Sequence, residues 1–262
     1  MAHRVVLGDS RRMPELEGAS VHLVVTSPPY PMIAQWDALF ADQGCADYDA
    51  MHGDLAAVWR ECHRVLVDGG IACINIGDAT RRVGKGFKLY PNHARTLEEC
   101  ERIGFQALPY ILWKKPTNKP NAFLGSGFLP PNAYVTLDCE FILILRKGGL
   151  RKFPPKDAGR YRSRFTKAER DLWFSQIWQV RGAGQGPAER RTAAFPEEIP
   201  RRLIRMFSCE GETVLDPFLG TGTTMRVGAA LGRTCVGYEL PAGREHLRLQ
   251  GIPVRVDARR AP

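Results

Sequence analysis

Two short stretches hold residue types that can do chemistry. The first is Ser27-Pro28-Pro29-Tyr30, directly after the apolar, β-branched run Val21 to Val25. Proline has no N–H to give a sheet and pushes the residue before it to an extended conformation. A strand entering this stretch must end there, and the carbonyls around Ser27 and Pro28 remain strong acceptors without a sheet partner. Ser27 adds a hydroxyl and Tyr30 a flat ring. Together they suit a planar group bearing an NH₂, with acceptors for its hydrogens and a ring for its face. A lone proline turn would look the same, so the second stretch matters. Asp216-Pro217-Phe218-Leu219-Gly220-Thr221-Gly222-Thr223-Thr224 places two glycines where a backbone can approach a ligand closely. Met225 stands where a third glycine of G-x-G-x-x-G would fall, and no Gly-Lys-Ser/Thr is present, so a phosphate-cradling loop is not supported.

The elements that must position these stretches alternate. Arg4 to Leu7 reads as a strand closing on Gly8-Asp9-Ser10, with Asp9 placed either to hydrogen-bond a ligand or to stabilise a turn. Leu55, Val58, Cys62 and Leu66 recur at helical spacing, and Asp68-Gly69-Gly70 reads as the helix end. Ile71 to Ile76 is a strand, Pro91 to Ile103 a helix stopped by Gly104, and Tyr110 to Trp113 and Phe141 to Leu145 two more strands. Ala194-Phe195-Pro196-Glu197-Glu198 opens a helix with acids in its first turn and Arg201, Arg202 and Arg205 following, as the macrodipole favours. Thr213 to Leu215 is a strand delivering the glycine loop. A helix runs on to about Leu231, and Thr234 to Tyr238 is a strand ending in Glu239. Strand, glycine loop, helix, strand and acid is the layout of a nucleoside-binding βαβ unit, the acid suiting ribose hydroxyls. The alternation predicts an α/β fold with a mostly parallel sheet and helices on both faces.

At 262 residues and 44% apolar, the chain predicts one large domain with a full core. No run is long enough for a membrane helix, and the start leads straight into a strand, so the expectation is a cytoplasmic protein without a secretory signal. Seven cysteines without C-x-x-C spacing predict reduced thiols and no metal site. The net charge of +9 favours a polyanionic partner. It is concentrated: between Arg146 and Arg170 there are ten Lys/Arg against two acids, with Phe153, Tyr161 and Phe165 interleaved. Candidate nucleic-acid contacts are Lys114, Lys115, Asn118 and Lys119 in a proline-rich loop, and Arg151, Lys152, Arg160, Arg162 and Arg164 in the basic stretch.

Ser27-Pro28-Pro29-Tyr30 with Asp216-Pro217-Phe218-x-Gly220-x-Gly222 resembles the amino-methylating DNA methyltransferases that use S-adenosylmethionine. The early catalytic motif and late cofactor loop, with Phe195-Pro196 before it, are similar to the permuted β-type order of that family. The resemblance runs from Val5 to about Leu240. It implies a Rossmann-like twisted sheet with an inserted basic target-recognition region. S-adenosylmethionine would lie on Phe195, Asp216, Pro217, Phe218, Gly220, Gly222, Thr223, Glu239 and Asp9, and Ser27, Pro28, Pro29 and Tyr30 would be catalytic. The corresponding divisions are a catalytic half at 1–80, target recognition at 81–175 and a cofactor half at 176–262. Serine at the first motif position looks like the cytosine-N4 branch, whereas Asp or Asn is more usual for adenine-N6 enzymes. The implied partner is double-stranded DNA, with a homodimer and a cognate restriction endonuclease as further expectations. Four rivals remain: an adenine-N6 methylase, a methyltransferase acting on RNA or on a protein glutamine, a nicotinamide-dependent oxidoreductase built on the glycine loop and Glu239, and a non-catalytic DNA-binding protein.

Overall fold

The computed structural model describes residues 3–84, 86–115, 131, 135–181 and 195–259. Asn118 and Lys119 lie outside the described residues. The central sheet is built from nine strands: β1 (His3–Leu7), β2 (Val21–Thr26), β3 (Leu66–Ile76), β6 (Phe105–Lys114), β7 (Cys139–Lys147), β8 (Ile177–Gln179), β9 (Thr213–Asp216), β10 (Thr234–Glu239) and β11 (Val254–Ala258). They lie side by side in the order β11-β1-β10-β9-β2-β3-β7-β6-β8. Of these nine, only β7 runs against the others, pairing antiparallel with β3 and β6. The mostly parallel sheet expected from the alternation is therefore present, with one reversed strand.

Alternate strand residues feed two cores. Val5, Leu7, Leu23 and Val25 point into one, packed by α6 (Glu198–Phe207) and α7 (Thr223–Ala230). Val6 and Val24 point into the other, packed by α2 (Tyr48–Val65) and α3 (Asn92–Ile103). Successive side chains of a strand face opposite ways, so a parallel sheet buried on both faces reads as a continuous apolar run. The shorter helices are α1 (Asp37–Asp42), α4 (Ala158–Arg162) and α5 (Lys167–Trp173).

Three local readings differ from the sequence expectation. Helix α2 stops at Val65, and Asp68-Gly69-Gly70 belong to the opening of β3, where pairing with β2 shifts register between Val21 and Leu23. Gly69 is needed there because its φ is +75° and a Cβ would strike the backbone of Gly149 and Arg151. Second, Ala79–Val83 (β4) and Gly86–Tyr90 (β5) form a separate antiparallel hairpin that the apolar-run reading passed over. Its cations interrupt any apolar pattern. Third, β8 and β11 add the two edge strands, beside β6 and β1.

Helix α3 ends as expected on Gly104, which takes φ +113°, a left-handed C-cap. All seven cysteines are free thiols, and burial pushes Cys62, Cys73, Cys100 and Cys235 away from ionisation. Among the described residues no group of His, Cys, Asp and Glu has a metal-binding arrangement, and no helix is long and apolar enough to cross a membrane.

Candidate active site

Strands β2 and β9 lie side by side and parallel, Leu23 against Val214 and Val24 against Leu215. From β2 the next neighbour in the sheet is β3 on one side; from β9 it is β10 on the other. The strand order thus reverses between β2 and β9. In open α/β sheets that reversal opens a crevice at the carboxyl ends, where ligands bind. Ser27-Pro28-Pro29-Tyr30 follows β2 and Asp216 to Gly222 follows β9, so two stretches nearly two hundred residues apart become the adjacent walls of that crevice. Thr26 donates its hydroxyl to Asp216 Oδ1 at 2.7 Å, and Thr224 donates to the Val25 carbonyl at 3.4 Å.

Asp216 is the joint between the walls. It is 4% exposed, accepts from Thr26 and from the Phe218 N–H, and burial pushes its pKa up to about 6 despite those donors. The glycine loop then turns on positive φ angles at Gly220 (+54°) and Gly222 (+86°), and Gly222 is the N-cap of α7. A Cβ on Gly222 would collide with Leu249. Glu239, at the end of β10, accepts the Gly220 N–H at 2.7 Å and the Leu240 N–H at 3.1 Å, and burial raises its pKa to about 7. Asp9 sits one strand over, past β1, where the neighbouring Gly8 N–H meets the Glu239 carbonyl. Its carboxylate accepts from Arg11 N and Nε; desolvation pushes its pKa up, but these bonds together with the Arg11 and Arg259 charges hold it low. Phe195 is buried at the entry to α6, in the same core as Leu219 and Met225. Pro217, Phe218 and Thr223 line the loop itself; Phe218 meets Trp59 edge-on at 5.9 Å.

The other wall is braced from below. Asn92 donates to the carbonyls of Pro31 and Gly77, both at 2.9 Å, and its Oδ1 accepts from His52 Nε2 at 3.2 Å. Burial lowers His52 to about 4, so it is neutral near pH 7. Arg81 of the hairpin donates to the Met32 carbonyl at 2.7 Å and pairs with Asp37. The Tyr30 hydroxyl lies within bonding distance of Ser27 (3.0 Å), Asn75 (2.7 Å) and Glu140 (2.8 Å). Asn75 and Glu140 were not legible as site residues. Each sits inside or beside an apolar strand run, and no motif marks them.

The cations named from sequence divide between two poles. Lys114 ends β6 on the crevice side and Lys115 follows it, the two pairing with Asp138 (3.8 Å) and with Glu140 respectively. The stretch from Arg151 to Arg164 is elsewhere. Arg151 forms an ion pair with Glu212, which precedes the first residue of β9, and Arg162 pairs with Glu210 at 3.8 Å. Arg160 and Arg151 both lie over the Phe153 ring. Lys152 and Arg164 are exposed on the same segment, and the Arg164 carbonyl accepts from Arg205. These five residues therefore sit at the amino ends of the parallel strands, across the sheet from the crevice. A run of positive charge reads as one surface in sequence, but β7 carries the chain from one pole to the other before it begins.

The fold and the crevice are of the kind that binds a nucleoside cofactor, and comparison with known proteins gives the class. The N6/N4 DNA methylase family model matches residues 21–247, and the chain belongs to that family of DNA amino-methyltransferases. It is 59% identical to the type II methyltransferase M.MjaI of Methanocaldococcus jannaschii, over 91% of this chain and 87% of that one. It is 47% identical to M.MthZI of Methanothermobacter thermautotrophicus, over 91% and 73% respectively. Among solved structures, a DNA modification methylase from Thermus thermophilus in complex with S-adenosyl-L-methionine superposes with TM-score 0.78 at 34% identity, covering 97% of this chain and 99% of the other. The cytosine-N4-specific PvuII methyltransferase shares the fold, with TM-score 0.66 at 18% identity.

Proposed function

We propose that this protein methylates the exocyclic N4 amine of cytosine in duplex DNA, as the modification enzyme of a restriction-modification pair, with S-adenosylmethionine as its cofactor. The observation that carries this is the seat of Ser27: a serine heading the Pro-Pro-Tyr turn, one residue past the Thr26–Asp216 bond that ties it to the glycine loop. The crevice suits the cofactor. Glu239 is an acid at the end of β10 with acceptor capacity beyond its two backbone bonds, and glycine at 220 leaves open the space that a side chain would fill. Residues 216–223, Glu239 and Phe195 would hold it. When bound, S-adenosylmethionine supplies an electrophilic methyl on a sulfonium.

The chain's own residues do the rest. The amine of cytosine is a weak nucleophile because its lone pair is shared with the ring, and it is hidden in the duplex until the base is flipped out. Tyr30 offers its ring to the extruded base. Ser27 Oγ and the Pro28 carbonyl accept the two amine hydrogens, turning the lone pair toward the methyl; holding reactants at about 3–3.5 Å in line is the principal contribution. The same acceptors stabilise the positive charge that grows on nitrogen. The methylated ammonium is acidic and releases its proton without a dedicated strong base.

The duplex would approach the carboxyl pole, where the β4–β5 hairpin stands. Arg82 and Lys88 are exposed on it, beside Val83 and Leu89, which are about half exposed. A two-stranded ribbon fits the major groove of B-DNA. The test is incubation with labelled S-adenosylmethionine and duplex DNA, then digestion and identification of the methylated nucleoside. N4-methylcytosine is the expected product. N6-methyladenine would overturn the base assignment, and bound cofactor with no label in DNA would overturn the function.

A further inference from the structure

We propose that Glu140 is a positioning residue that fixes the hydrogen-bond direction of Ser27, acting through the Tyr30 hydroxyl. The inference rests on the reaction proposed above. Its warrant is a count of protons. Glu140 is a carboxylate on β7, 13% exposed at its side chain, and it can only accept. Lys115 holds its Oε1. Its Oε2 lies 2.8 Å from Tyr30 Oη and 2.7 Å from Asn75 Nδ2. Tyr30 keeps its proton, since burial and then the Glu140 charge push its pKa well above the usual range. That single proton goes to Glu140. The two hydrogens of Asn75 Nδ2 go to Glu140 and to Tyr30 Oη, the latter at 2.7 Å. Tyr30 Oη, 3.0 Å from Ser27 Oγ, therefore has no proton left for it and can only accept from it. The Ser27 proton is drawn inward, and its lone pairs are what remain for a ligand. An amine substrate needs an acceptor in that place, and a serine free to rotate would present a donor part of the time. Without Glu140 the Tyr30 proton would turn to Ser27 and push the serine proton out, reversing the polarity of the seat.

The test uses the full-length protein, duplex DNA and labelled S-adenosylmethionine in single-turnover methyl transfer, with cofactor and DNA affinities measured separately. Wild-type transfer to DNA tests the proposed function; rates of variants relative to it test Glu140. Glu140→Leu, which reverses the polarity, is expected to slow transfer roughly a hundredfold, the scale of losing one oriented hydrogen bond to a transition state, and Tyr30→Phe, which leaves the serine free to rotate, to slow it several-fold, with both affinities unchanged. Glu140→Gln keeps an acceptor oxygen for Tyr30 and recovers most of the loss. In a Ser27→Ala background neither Glu140→Leu nor Tyr30→Phe slows transfer further, because both act through the missing hydroxyl. Tyr30→Phe and Glu140→Gln carry the test if Glu140→Leu does not fold. Wild-type rates in Glu140→Leu or Tyr30→Phe, a Gln variant as slow as Leu, or additive losses with Ser27→Ala would overturn the assignment.

Discussion

Asp216 and Glu239 are carboxyls held where their charge is least welcome. Burial lifts Asp216 to about 6 and Glu239 to about 7. A carboxyl whose pKa is higher folded than unfolded binds more protons in the native state between the two values. Its contribution to stability is full below the unfolded pKa and is lost as pH rises through the folded one. In the cofactor-free protein, Glu239→Gln should therefore gain stability relative to wild type as pH goes from 4.5 to 7.5, by on the order of 2–3 kcal/mol. Urea unfolding at several pH values reads this, and a difference independent of pH would contradict the burial. Ser27→Ala tests the other wall. It should leave cofactor affinity intact in calorimetry and slow methyl transfer by roughly a hundredfold. Full activity on the target site would remove Ser27 from the mechanism. The identities of these residues could be read from motifs; Glu140 could not, since a lone acid between Cys139 and an apolar strand carries no pattern until β7 sets it beside Tyr30.

The glycine loop and the hairpin act as elements. Gly222 caps α7 at φ +86° with Leu249 against it, so Gly222→Val would meet both strain and a collision. We expect it to abolish cofactor binding in titration calorimetry while the remaining sheet still gives a cooperative melt. The β4–β5 hairpin should be felt by DNA rather than by cofactor. Arg82→Glu with Lys88→Glu is expected to weaken DNA binding and to lower the slope of log affinity against log salt by about 0.9 for each phosphate no longer neutralised. The same reversal at Arg160 and Arg162, on the opposite pole, should cost far less. Equal losses in gel-shift titrations would return the DNA interface to the basic segment. Charge density along the chain marked 146–170 and passed over the hairpin, because density says nothing of which end of a strand a segment leaves from.

For the molecule as a whole, the position of β9 against β2 matters most. It brings residues 26–30 and 216–224 side by side, and the two should respond as one. Adding S-adenosylmethionine is expected to slow hydrogen exchange in both segments together, by amounts set by occupancy. Protection confined to 216–224 would mean that the serine turn does not share the cofactor's crevice. Two halves of the sheet, both packed on two faces, hold this arrangement, with Thr26, Asp216 and Thr224 bonding across the join.

The amino-acid sequence alone determined seven of the sheet's nine strands, the four longer helices, the two motifs and the class of chemistry, because apolar period, proline stops and glycine loops are local properties that each segment expresses by itself. Strand order, the reversed β7, the hairpin's stance at the crevice and the Ser27–Tyr30–Glu140 chain were decided only by the tertiary structure. Those depend on which distant segments pair, and hydrogen bonds across 110 residues of chain leave no trace in spacing.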